Sequence, residues 1–200
     1  TNEQLKEATH IIITLGTSWI YRNNESEEIV ANCHKVPQKQ FSKELLSVEV
    51  IQNSIQNTIN LIQSLNPSIH FIFTISPVRH IKDGFVENQL SKSHLFTALH
   101  SNLTSKINNL KLDYFPSYEI MMDELRDYRF YNEDMLHPNQ IAIDYIWTIF
   151  KNTFISEGSF SLMKEIETIQ KALSHRPFNL QSEAHQKFLS NLERSIQQLQ

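Results

Sequence analysis

The run His10-Ile11-Ile12-Ile13-Thr14-Leu15, closed by Gly16, constrains this chain more than any other feature. Three adjacent isoleucines do not alternate with polar residues, so a strand built from them is apolar on both faces. Such a strand belongs in the middle of a parallel sheet that helices cover on each side. Two later segments have a related character. Residues 69–75, Ile-His-Phe-Ile-Phe-Thr-Ile, predict a second buried strand ending at Ser76-Pro77, and Leu112 to Phe115 predict a shorter third before Pro116.

Helical patterns fill the intervals. Residues 3–8 read as the end of a helix. Ser47 is placed to cap a helix running to about Ser64, with Val50, Ile51, Ile55, Ile59 and Ile62 on one face. A second helix over roughly 92–110 carries Leu95, Leu99 and Leu103, and a third starts at Pro138, a residue suited to the first helical position, and runs to about Phe154. Strands alternating with helices, joined by right-handed crossovers, give an α/β domain: a three-layer αβα, flavodoxin-like parallel sheet over residues 1–155. Residues 156–200 read as a helical extension. Its amphipathic patterns, over 160–174 and 182–199, either pack on the domain or serve oligomerisation. Three strands are few for such a sheet, and a triple-isoleucine strand at its edge leaves apolar surface and ladder groups uncovered. The chain also opens on Thr1 rather than Met. Further strands are therefore expected before Thr1 in the intact protein.

Charge narrows the class of partner. The net charge is -4 and no basic run occurs, which disfavours nucleic acid and anionic membrane surfaces. The longest apolar run is too short to span a bilayer. The first ten residues are polar and carry Glu3 and Glu7, unlike a secretory signal. A lone cysteine, Cys33, forbids an internal disulfide and fits either a reducing, cytoplasmic setting or a protein that needs no staples.

Polar residues crowd three loops after the C-terminal ends of the strands, where open α/β sheets bind ligands. The first holds Gly16-Thr17-Ser18-Trp19 and continues to Asn32-Cys33-His34. The second holds Arg79 and His80 and continues to Asn88. The third runs from Arg126 to Pro138 and contains Asp134 and His137. Asp134 can hold the His137 ring in one tautomer, and that ring can then accept a proton from a nucleophile. Equally, Asp134 can cap the loop while His137 packs under the helix. Ser18, after a buried strand and a glycine, is a candidate nucleophile or a turn serine. Asn32 is a candidate oxyanion donor or an ordinary turn residue. Cys33 reads as a buried structural thiol. Arg79, Arg126 and Arg129 can bind an anionic substrate group or pair with Asp123, Glu124 and Asp127. Tyr128, Phe130 and Tyr131 wall the site or fill the layer beneath it. The histidines lack metal-site spacing, and neither metal nor cofactor is expected.

These loops carry a family resemblance. The runs Thr14-Leu15-Gly16-Thr17-Ser18-Trp19, Ala31-Asn32-Cys33-His34-Lys35, Ser76-Pro77-Val78-Arg79-His80, Asn88-Gln89-Leu90-Ser91-Lys92, Phe115-Pro116-Ser117-Tyr118-Glu119 and Arg126 to Tyr131 through Asp134-Met135-Leu136-His137-Pro138 resemble the bacterial GSCFA domain family, over roughly residues 5–155. The resemblance implies an SGNH (GDSL-type) hydrolase fold, with a serine nucleophile near the N-terminus and a late Asp-x-x-His that maps onto Asp134 and His137. The Gly-Ser-Cys-Phe-Ala run that names the family does not occur here. The resemblance thus implies that the nucleophile strand lies outside this chain. It also makes Gly16, Thr17 and Ser18 lining of the oxyanion region, with Asn32, His34, Arg79, His80 and Asn88 as further substrate-side residues. The expected activity is ester hydrolysis, on a carbohydrate acetyl ester or another small-molecule ester. Acyl transfer to a glycan and a non-catalytic binding or assembly module are the alternatives.

Overall fold

In a computed structural model, residues 2–30, 33, 35–104, 110–175, 179 and 181–199 are described, positions 2 and 184 by their backbone only. The chain divides into two compact units, Thr1–Trp147 and Thr148–Gln200.

The first unit opens with a short helix α1 (Asn2–Glu7) and strand β1 (His10–Leu15). A small antiparallel sheet follows, made of β2 (Trp19–Asn23), β3 (Ile29–Val30) and β4 (Phe41–Leu45) in the order β3-β2-β4. Then come α2 (Val48–Leu65), β5 (His70–Ile75), α3 (Phe85–Thr104) and β6 (Leu112–Phe115). A turn of helix α4 (Ser117–Glu119) runs into a π-helical turn over Ile120–Glu124, and α5 (Gln140–Phe154) closes the unit and continues into the next.

Strands β1, β5 and β6 form a parallel sheet in the order β1-β5-β6, with Ile12 opposite Ile72 and Ile72 opposite Asp113. The α/β class and the three parallel strands agree with the sequence reading. Helices α2 and α3 cover one face. Ile51, Ile55, Ile59 and Ile62 of α2 pack with Leu95, Ala98 and Leu99 of α3 on Phe71, Phe73 and Ile75 of β5. Each such fully buried side chain contributes roughly 1.5–3 kcal/mol of transfer free energy. The Ser47 hydroxyl accepts the Val50 N–H at 3.3 Å, so α2 starts where the capping serine foretold.

Four features depart from expectation. Strand β1 sits at the sheet edge rather than in its middle. Ile11, Ile13 and Leu15 face the core, while Ile12 stands 54% exposed although its partner Ile72 is only 2% exposed. The opposite face is therefore closed over β5 and open over β1. The β2-β3-β4 sheet was not foreseen, because its strands are short and none of their residues is fully buried. Helix α3 begins at Phe85, not near residue 92: its first turns bury Asn88, Ser91 and Lys92, so apolar periodicity appears only from Leu95. Helix α5 starts at Gln140. Pro138 instead pairs with Tyr131 in an antiparallel bridge, at a position where its missing N–H costs no bond.

The second unit holds α6 (Phe160–Ser174) and α7 (Glu183–Gln198). Ser182 caps α7 by accepting the His185 N–H at 3.2 Å, and Phe188 meets His175 edge-on and stacks against His185. Among the described residues no helix is long and apolar enough to cross a membrane.

Candidate active site

The Asp134–His137 turn is built by a hairpin. Tyr131 bridges Pro138, and the Asn132 N–H donates to the His137 carbonyl at 2.8 Å while the Asn139 N–H donates to that of Phe130 at 2.9 Å. Four residues remain to turn the chain, and Met135 takes φ 57°, a left-handed conformation that costs a branched or bulky residue energy. Asp134 holds the turn together. Its Oδ1 accepts the N–H groups of Leu136 (2.8 Å) and His137 (3.0 Å), and its Oδ2 lies 2.6 Å from His137 Nδ1.

Those bonds set the chemistry. The two backbone donors, followed by the His137 ring, hold the Asp134 carboxyl down at about 2. A carboxylate ionised across the working pH range can only accept, so Nδ1 carries the proton toward it. Nε2 is left with its lone pair free. The pair is open to solvent, with side-chain exposures of 55% and 45%. An accessible imidazole with a fixed tautomer is equipped to act as a general base.

The loop after β5 docks beside this turn. The Arg79 N–H donates to the Leu136 carbonyl at 3.2 Å and its guanidinium to that of Met135 at 3.4 Å. The same guanidinium lies over the rings of Tyr131 (4.5 Å) and Tyr128 (5.4 Å). Arg79, Met122, Arg126, Tyr128 and Tyr131 help line a pocket of about 190 Å³. Arg129 is turned to Asp127 at 3.1 Å, the structural pairing. His80 stands between the turn and the first loop: its Nε2 lies 3.6 Å from where a Gly16 side chain would begin. Partial burial, then the charges of Lys92 and His137, hold the His80 ring below the ordinary histidine range. The Asn88 side-chain oxygen accepts the His80 N–H at 2.8 Å.

The first loop is clamped from beneath by α3. Ser91 Oγ accepts the Ser18 N–H at 2.8 Å and contacts Thr17 Oγ1 at 2.9 Å. Ser18 Oγ donates to the Ser91 carbonyl at 3.0 Å, and Ser18 is 1% exposed. A buried hydroxyl committed to a backbone carbonyl is poorly placed to attack a substrate, so the geometry favours Ser18 as structural lining over nucleophile. Lys92 is fully buried, and its ammonium donates to the Gly16 and Ser76 carbonyls, each at 2.7 Å. Burial pushes its pKa down to about 8. Asn32 and His34 lie outside the described residues. Cys33 is free and partly exposed rather than buried.

The three loops therefore converge on one sheet end through Gly16, His80 and His137, with Arg79 and the tyrosines alongside. Sequence reasoning quoted Ser91 and Lys92 within a motif but assigned them no role. Asn88, Ser91, Lys92 and Leu95 have the spacing of one helix face, which marks the polar trio as inward-facing.

Two family models match the chain. That of the GSCFA family covers residues 1–150, and that of the GSCFA domain protein, C-terminal domain, covers residues 166–200. No curated protein and no solved structure matches it.

Proposed function

The chain belongs to the GSCFA family, and from that premise we propose that it carries the acid–base half of a serine ester hydrolase of the SGNH type. The observation that carries this reading is the Asp134–His137 pair: a 2.6 Å contact, an ionised carboxylate and an accessible Nε2 beside two other loops at the strand ends. In the reaction, a nucleophile hydroxyl gives its proton to His137 Nε2 as its oxygen attacks the acyl carbon. The imidazolium, held by Asp134, returns that proton to the departing alkoxide and releases the alcohol. Water then repeats the sequence on the acyl-enzyme, restoring the hydroxyl and freeing the acid.

Ser18 is a site-lining residue in this scheme. The nucleophile comes from a segment laid along the open edge of β1, whose C-terminal end would adjoin Gly16 and His80. The substrate is a small ester, of which a carbohydrate acetyl ester is the preferred class. Arg79, Tyr128 and Tyr131 form the wall that receives its acyl or sugar part. No cofactor enters the scheme.

The test is ester hydrolysis by the full-length protein and its His137→Ala variant. Loss of the general base lowers kcat by about 10²–10⁴-fold with the fold intact by circular dichroism. A variant as active as the parent removes the assignment. Glycan acceptors added to the same assay separate hydrolysis from transfer, since a transferase diverts the acyl group from water to the acceptor.

A further inference from the structure

The parallel ladder between β1 and β5 ends one rung early. The Ser76 N–H donates to the Leu15 carbonyl at 2.8 Å, continuing the pattern begun where the His70 N–H donates to that of Thr9. In a parallel pair the next bond runs from the Thr17 N–H to the Ser76 carbonyl. That bond is not made. The Ser76 carbonyl accepts from Lys92 instead, and the same ammonium takes the Gly16 carbonyl. Among the described residues the Thr17 N–H has no acceptor, and Thr17 is exposed. A peptide group is planar and trans, so its N–H points opposite to its C=O. With the Gly16 carbonyl drawn inward to Lys92, the Thr17 N–H is turned outward, next to the glycine against which His80 stands.

Lys92 has other properties of a residue kept for a site. It is a buried cation with no carboxylate within ion-pairing distance among the described residues, an arrangement that costs stability unless something is gained from it. Its positive end touches the carbonyl oxygen of the peptide that offers the free N–H, so it polarises that donor. We propose that Lys92 is a positioning residue: by capturing the Ser76 and Gly16 carbonyls it breaks the last ladder rung and frees the Thr17 amide to donate to the oxyanion formed from an ester substrate. This inference rests on the hydrolase reading for the oxyanion, but the freed amide stands on geometry alone.

The test has an arm for each part. Amide hydrogen exchange of the full-length protein reads the rung directly: the Thr17 amide exchanges without protection, whereas Leu15 is protected. A protected Thr17 amide overturns the proposal whatever the activity. In the kinetic arm, replacing Thr17 by its α-hydroxy acid deletes only the N–H. With p-nitrophenyl acetate, kcat falls by about 100-fold, the usual cost of one oxyanion donor, while KM stays near the parent value. Lys92→Met lowers kcat in the same way, and Lys92→Arg, which keeps the charge, recovers part of the loss. An unchanged kcat on replacing Thr17, or a loss confined to KM, overturns the oxyanion role. A parent protein that exchanges Thr17 freely but hydrolyses no ester overturns that role together with the hydrolase reading, and leaves the broken rung standing.

Discussion

Two ionisable residues carry opposite lessons. Asp134 is exposed, yet two backbone N–H groups and the His137 ring hold its carboxyl at about 2, below the ordinary 3.8. Its contribution to stability is therefore present above pH 3.8 and lost as the pH falls through about 2. It stays ionised across the working range, so replacing it with asparagine keeps the shape but removes the acceptor that fixes the tautomer. Asp134→Asn is expected to lower kcat by up to on the order of 10⁴-fold, measured by ester hydrolysis near neutrality. Lys92 is buried, and its pKa lies near 8 against the ordinary 10.5. Folded and unfolded chains both hold the proton below pH 8, but between 8 and 10.5 only the unfolded chain keeps it. Wild-type stability relative to Lys92→Met is thus expected to rise from pH 8 to 10.5 in urea titrations, and a flat difference counts against the lowered pKa.

At the scale of elements, the hairpin that presents His137 hangs on Asn139. Its side-chain amide donates to the Arg129 carbonyl at 2.6 Å, and its side-chain oxygen accepts the Ala142 N–H at 3.2 Å, capping α5. One residue thus starts a helix and anchors the base of the Asp134–His137 turn. Asn139→Ala is expected to cost about 1–2 kcal/mol in chemical denaturation, the scale of a lost N-cap with its extra bond. The start of α3 shows how such elements escape a reading by hydrophobic pattern. Asn88, Ser91 and Lys92 are buried because they satisfy His80, the Gly16–Ser18 loop and the Ser76 carbonyl, not because they are apolar. Periodicity of apolar residues detects burial by transfer free energy alone, and a helix face devoted to hydrogen bonding leaves no such trace.

At the scale of the molecule, the parallel sheet is covered unevenly. Ile12 and Ile72 are register partners on the same face, one 54% exposed and the other 2%. In the 200-residue chain, Ile72→Ala is expected to cost about 2–5 kcal/mol, as deletion from a packed core does, while Ile12→Ala stays within about 0.5 kcal/mol. Equal costs would mean that the face over β1 is closed. The open edge bears on function as well, because it is where the proposed nucleophile segment would pair.

The local chemistry of the chain determined much by itself. Apolar runs marked the three parallel strands, a capping serine marked the start of α2, and Asp-x-x-His at a strand-end loop marked two side chains that meet at 2.6 Å. Each is a property of residues near one another in sequence, where backbone geometry and side-chain polarity suffice. Only the tertiary structure decided the edge position of β1, the β3-β2-β4 sheet, the burial of Ser18 against Ser91 and the capture of two strand-end carbonyls by Lys92. Those depend on partners more than seventy residues apart for Ser18 and Gly16. A polar side chain is equally soluble in its own sequence window wherever it goes; whether it ends in water or on a distant backbone carbonyl is settled when the chain closes on itself.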